Sequence, residues 1–369
     1  MKEVIAPVVK GRDFTEQSAK LSANSVRTRC TRDVRHASGE PRSPIHGEGM
    51  RESIQSEPSL AGRDYTDEEI RSFVRDLESL RSGDLTVALL VGCGERAIPA
   101  LREFLLHGQP RAVFQPRQHA VEALAELGAK DVLIEYLSQN REIPNAVVRF
   151  AEEAVANTAA RELARWPTKE TFQFLLNFAQ ARTLPGVIDA LGKSQRAEAA
   201  SVFLRALTDD VCRPFAEEAL RSIAEKVRPA LIQAAQPNGD EDVERPREKQ
   251  KRRSVLRILA DMVVTEAECI ELTPLLQDHD QEIAIMAGEI GVDWAPAEER
   301  QHAARFLIRS LASTHWYMQI RIQDCLRRNY VALREVIDSE VKIRRRAPFE
   351  EQVRDHALRI LEKLQSSIT

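Results

Sequence analysis

Cys93 stands in the string Val91-Gly92-Cys93-Gly94-Glu95-Arg96, where a reactive thiol sits among residues that can turn the backbone tightly. A glycine-rich turn of this kind can aim N–H groups at a phosphate, but the string lacks a Gly-Lys-Ser/Thr ending and has no strand before it. It reads as a turn between helices. No histidine stands where it would activate Cys93, and Cys212, Cys269 and Cys325 lie among apolar residues, so these thiols read as packing. With Cys30 they make five scattered cysteines and no Cys-x-x-Cys pair, which disfavours a disulfide framework and a zinc knuckle.

The eight histidines are equally dispersed, and no His-x-x-x-His places two ligands on one helical face. Asp278-His279-Asp280 gathers three metal-competent side chains, yet Asp280 is placed to cap the helix carrying Ile283 and Met286, and capping is the expectation. Paired carboxylates such as Glu152-Glu153, Glu217-Glu218 and Glu298-Glu299 could serve as acid and base, but solvated helix faces need such residues anyway. No catalytic residue, metal or cofactor is predicted.

Binding is better represented. His315-Trp316-Tyr317 is the one aromatic cluster, opening a helix that continues through Met318, Ile320 and Ile322. It reads either as inter-repeat packing, the commoner use, or as an exposed anchor, a role for which Trp and Tyr are favoured. Arg327-Arg328 and Lys342-Ile343-Arg344-Arg345-Arg346 form a basic cluster expected between the last two helices, where phosphate or an acidic protein surface is a suitable partner. Trp316, Tyr317, Arg327, Arg328, Lys342, Arg344, Arg345 and Arg346 are therefore the candidate partner-binding residues. The mixed stretch Asp240 to Arg253, with five acidic and six basic residues, reads as a long solvated loop.

These residues must be positioned by something, and the composition points to helices. Of 369 residues 43% are hydrophobic, 30% charged and 5% aromatic, with 15 Gly and 17 Pro. Lys and Arg number 53 against 57 Asp and Glu, so the net charge of −4 carries none of the broad positive field of a dedicated nucleic-acid binder. The apolar runs Val4–Val9 and Val87–Val91 are too short for a signal-peptide core or a membrane span, which predicts a cytoplasmic protein. Residues 1–62 hold ten Lys or Arg and eight Asp or Glu, with breakers such as Gly39-Glu40-Pro41-Arg42-Ser43-Pro44, and read as a disordered extension; Met50 leaves open a later start.

From Thr66-Asp67-Glu68-Glu69, a capping box before Ile70, Phe73, Val74, Leu77 and Leu80, apolar residues recur three and four apart. No stretch alternates long enough for a strand, so the expectation over 63–369 is all-α. Helices come in pairs: Gln118 to Gly128 with Asp131 to Leu137, Val187 to Leu191 with Val202 to Leu207, Ala216 to Ile223 with Pro229 to Ala234. Further pairs are Val255 to Met262 with Ile270 to Leu276, Ala284 to Ile290 with Ala303 to Leu311, and Ile320 to Leu326 with Leu333 to Ile337. Gly128, Gly192 and Gly291 are read as helix stops. Anchors at Leu127, Leu191, Leu220, Leu259, Ile290, Leu326 and Ile360 are spaced by 64, 29, 39, 31, 36 and 34 residues, the first interval accommodating a unit around Ala154. A period of about 30 to 40 predicts a solenoid of roughly seven or eight helical hairpins.

The segments Gly94-Glu95-Arg96-Ala97-Ile98-Pro99-Ala100-Leu101-Arg102-Glu103-Phe104-Leu105 and Ala123-Leu124-Ala125-Glu126-Leu127-Gly128-Ala129-Lys130-Asp131-Val132-Leu133-Ile134 resemble HEAT repeats, in particular the short variety of phycobilisome lyases. The resemblance implies a right-handed α-solenoid of stacked antiparallel helix pairs, with the second helices lining a concave surface. It further implies a non-enzymatic scaffold or adaptor for a protein or peptide. The alternatives it carries are a lyase- or chaperone-type HEAT protein and a HEAT-type DNA-binding or repair protein, for which no active residue maps onto a position here. Nucleic acid is thus a lesser expected partner, and a membrane is not expected.

Overall fold

The computed structural model describes residues 65–79, 83–139, 141–237 and 245–366, and every regular element among them is a helix. The extension read as disordered, Leu80 and the acidic start of the Asp240 to Arg253 stretch lie outside the described residues. The helices are α1 (Asp67–Asp76), α2 (Gly83–Gly92), α3 (Ile98–His107), α4 (Gln115–Glu126), α5 (Lys130–Ser138) and α6 (Ala146–Leu163). There follow α7 (Lys169–Ala181), α8 (Pro185–Lys193), α9 (Ala200–Ala206), α10 (Arg213–Ile223), α11 (Arg228–Ala235) and α12 (Pro246–Ala260). The remainder are α13 (Glu266–Leu272), α14 (Gln281–Trp294), α15 (Ala297–Ser310), α16 (Trp316–Arg328), α17 (Tyr330–Arg344), α18 (Phe349–Arg354) and α19 (His356–Ser366).

Local chemistry starts and stops these helices much as the side chains suggest. Thr66 accepts from the Glu69 N–H while Glu69 reaches back to the Thr66 N–H, so the expected capping box forms. Asp280 accepts from the Glu282 and Ile283 N–H groups and caps α14. Gly94, at φ +66°, turns the chain through a short 3-10 stretch between α2 and α3, and Gly128, at φ +76°, ends the hairpin's first helix. Gly192 and Gly291 are not stops. Both lie inside helices, where a Cβ would come within 2.9 Å of Ala219 on α10 and 3.0 Å of Ala303 on α15. Their missing side chains let neighbouring helices approach; α8 instead ends before Gln195, which takes φ +49°.

The helices pack in two interleaved series. Even-numbered helices touch in order, α2 on α4, α4 on α6, and so on through α14 on α16. Odd-numbered ones do so in part, α1 on α3, α3 on α5, α7 on α9, α11 on α13, α15 on α17 and α17 on α19. Consecutive helices such as α4 and α5, α9 and α10, or α14 and α15 also pack together. The buried apolar residues divide into two clusters, one reaching from Tyr65 to Ala295 and the other from Ile285 to Leu364. Helix α14 belongs to both: Ile283, Met286 and Ile290 face the first, Ile285 and Val292 the second. A helix buried almost all round must be apolar almost all round, as this one is.

Buried arginines tie the layers together. Arg117 on α4 donates through Nη2 to the Leu105 carbonyl at 2.9 Å and the Glu152 carboxylate at 2.8 Å, and through Nη1 to the Phe104 and Gly108 carbonyls, both at 3.3 Å. It thereby satisfies carbonyls that α3 leaves open at its C-terminus. Arg252 repeats the device one-sidedly: it donates through Nε to Ala235 at the end of α11, 2.8 Å away, and pairs with Asp278. Only 1% of Arg252 is exposed, so the segment expected as a solvated loop is, from Pro246 onward, a helix with a core arginine. Charge counting missed this because Val255, Leu256, Ile258 and Leu259 extend the same helix and pull its start inward.

Candidate functional site

None of the four thiols among the described residues is poised as a nucleophile. Cys212 and Cys269 are buried, and desolvation pushes them up to about 12 and about 11; burial also raises Cys325 and, with the fields of Arg96 and Glu69 partly opposed, the half-buried Cys93. A thiol held above its ordinary range is a poor nucleophile. Among the described residues no group of three or more His, Cys, Asp or Glu side chains is arranged to hold a metal.

The aromatic cluster is different. Helix α16 buries Met318, Ile322, Cys325 and Leu326 along one stripe, and Trp316 and Ile320, four apart, project from the opposite side. Trp316 is 73% exposed, Ile320 47% and Tyr317 42%. Packing into a core, the commoner use, is therefore not the use made of Trp316. Tyr317 stacks on His315 at 6.3 Å between ring centroids and meets Trp316 edge-on at 6.4 Å. Ile320 was read as part of the helix's apolar series; its separation by two from both Met318 and Ile322 is the signal that it lies off their stripe.

The basic residues divide into paired and unpaired. Arg327 bonds Asp324 at 2.9 Å, and Arg328 bonds Asp293 of α14 at 3.2 Å. Arg344 bonds Asp355 at 2.7 Å and Arg345 bonds Glu362 at 2.8 Å, so Arg328, Arg344 and Arg345 stitch the C-terminal elements while Arg327 pairs within its own helix. Lys342 and Arg346 are exposed, with no ion pair among the described residues. The cluster does not lie in a linker as expected: Lys342, Ile343 and Arg344 form the last turn of α17, where positive charge complements the helix dipole.

The two helices that carry these residues are both tied to one corner, the start of α19. His356 Nε2 lies 3.1 Å from Gln319 Oε1, one turn into α16, while the adjacent Asp355 holds Arg344. Phe349, 78% exposed on α18, stands beside the same chain reversal, which Gln352 braces by donating to the Arg345 and Ala347 carbonyls. The arrangement therefore offers exposed aromatic and aliphatic surface at one side of the corner and two unneutralised cations at the other. No protein-family model matches the chain, and no curated protein matches it.

Proposed function

We propose that residues 65–366 form a HEAT-like α-solenoid that acts as a non-enzymatic adaptor, gripping a protein segment at the α16–α19 corner. The repeat reading is supported by the alternation of even and odd helix contacts and by ion pairs that join neighbouring units at sequence separations from 26 to 40 residues. Arg102 with Glu135, Arg117 with Glu152, Arg257 with Glu217 and Arg321 with Glu289 are such rungs. Each unit then contacts its neighbours only, and surface residues are free to vary.

The functional reading rests on the exposure of Trp316 with Tyr317 and Ile320 on one helix. Covering a tryptophan of this kind contributes about 2 kcal/mol or more at a well-packed interface. The partner segment should set an apolar side chain against Trp316 and Ile320 and carboxylates against Lys342 and Arg346. Affinity capture from native extract, followed by binding of the purified partner, tests this. Trp316→Ala with Tyr317→Ala should abolish the purified interaction, and Lys342→Glu with Arg346→Glu should weaken it at low salt. Leu85→Ala, an exposed apolar change on α2, should leave it intact. Equal loss in all three, or loss in none, rejects the corner as the site.

A further inference from the structure

Away from that corner, a pocket of about 240 Å³ opens where Gln139, Arg141 and Ile143 meet the end of α5 and the start of α6. Tyr136, Glu152, Glu153, Arg141, Arg149 and Arg182 are among the residues that line it. The two carboxylates are already neutralised. Glu152 Oε1 accepts both the Tyr136 hydroxyl and Arg117 Nη2 at 2.8 Å, and Glu153 lies 4.0 Å from Arg182. Two of the three lining guanidiniums are not. Arg141 donates to the Gln139 side chain and to the Leu106 and Gly108 carbonyls, all uncharged acceptors. Arg149 makes no ion pair or hydrogen bond among the described residues, though it faces the pocket from α6.

From this imbalance we infer that the pocket is an oxyanion site and that its ligand is a phosphate monoester held by Arg141 and Arg149. Two uncompensated guanidiniums match a group carrying about −1.5 to −2 charges near neutral pH, whereas one carboxylate would leave a cation unanswered. The fork of N–H donors on each arginine fits the oxygens of such a group. Burial and the field of Arg117 outweigh the opposing fields of Glu152 and Tyr136 and pull Arg141 below its ordinary range, so an anion in the pocket relieves that cost. The volume admits a phosphate with several further atoms, so the ester comes either on a small molecule or on a phosphorylated side chain.

Isothermal titration of the full chain at low ionic strength, with inorganic phosphate, O-phosphoserine, a phosphoserine hexapeptide and acetate, tests the assignment. We expect saturable binding of the phosphate compounds at one site per chain, weak or absent acetate binding, and a gain in affinity between pH 5 and 7 as the monoester loses its second proton, near pH about 6. Arg149→Ala should weaken binding about tenfold or more with an unchanged melting temperature, since this side chain is exposed and unbonded. Arg141→Gln should act in the same direction. Arg334→Ala, which removes an exposed arginine on α17, should change nothing. Tighter binding of the hexapeptide than of O-phosphoserine assigns the site to a partner's phosphorylated side chain; equal or weaker binding assigns it to a small ester. No saturable phosphate binding, acetate binding as tight as phosphate, or equal loss in the Arg149 and Arg334 variants overturns the inference.

Discussion

Two carboxylates of one helical segment, Asp280 at the N-cap of α14 and Glu289 well inside it, show how environment, not residue type, decides what a charge does. Burial holds Glu289 above its ordinary range even though Arg321 and Arg328 pull it down, so its ionised form is the costly one in the folded chain. Asp280 ends on the other side: burial alone would raise it, but Arg253 and the Ile283 and Glu282 N–H groups outweigh that and hold it low. Linkage then gives opposite signs. A raised folded value means that stability from Glu289 is greatest in acid and falls as pH rises through that value. A depressed one means that the contribution of Asp280 is present at neutral pH and is lost as pH falls through it. Urea unfolding of Glu289→Gln across about pH 4 to 7 should show the variant gaining on the wild type as pH rises. Asp280→Asn, which keeps the cap, should lose to the wild type at neutral pH and draw level in acid. Parallel trends in the two variants would refute the assignment. Neither sign was legible from the sequence, where both residues are acids in helical segments.

Two glycines at matching places in their helices have different work to do. Gly192 is near the end of α8 and Gly92 is the last residue of α2, yet a Cβ at Gly192 would press on Ala219 at 2.9 Å while one at Gly92 would meet nothing within 4 Å. Gly192→Ala should therefore push α8 from α10 and cost about 1–3 kcal/mol, the ordinary penalty for an overpacked contact. Gly92→Ala should stabilise by about 0.4–1 kcal/mol through the lower entropy of the unfolded chain. Thermal melts of the two variants should shift in opposite directions; a shared direction would mean that α8 and α10 are not in close contact. The composition of these helices was readable, down to the Ala-rich faces that admit close approach. Which glycine ends a helix and which notches one was not, since that depends on the helix lying opposite.

For residues 65–366 taken together, the telling feature is the divided core. Helix α14 serves both apolar clusters, and little else joins them. In a chain whose helices contact near neighbours, damage should stay on its own side of such a joint. Leu326 is fully buried in the C-terminal cluster, and Leu326→Ala should cost about 2–5 kcal/mol. Native-state hydrogen exchange should then speed up across α15 to α19 and leave α3 to α11 near wild-type protection. A uniform rise would mean that the two clusters unfold as one.

Helical class, the capping role of Thr66 and Asp280, the turn at Gly94 and the burial of Cys212, Cys269 and Cys325 follow from spacing and propensity, because each depends on residues within one or two turns of the chain. The helix boundaries follow only in part: α12 begins at Pro246, nine residues before Val255, and α14 runs past Gly291 to Trp294. The exposure of Trp316, the burial of Arg252 and the pairing of Arg328 with Asp293 and of Arg345 with Glu362 were decided only in three dimensions, whereas Arg327 pairs locally with Asp324 one turn away. An exposed and a buried tryptophan have the same hydropathy, and an arginine in a charged run is a core residue or a solvated one according to whether an Asp278 from the next unit comes to meet it. The partners of Arg252 and Arg328 lie 26 and 35 residues away, and no local pattern carries their positions.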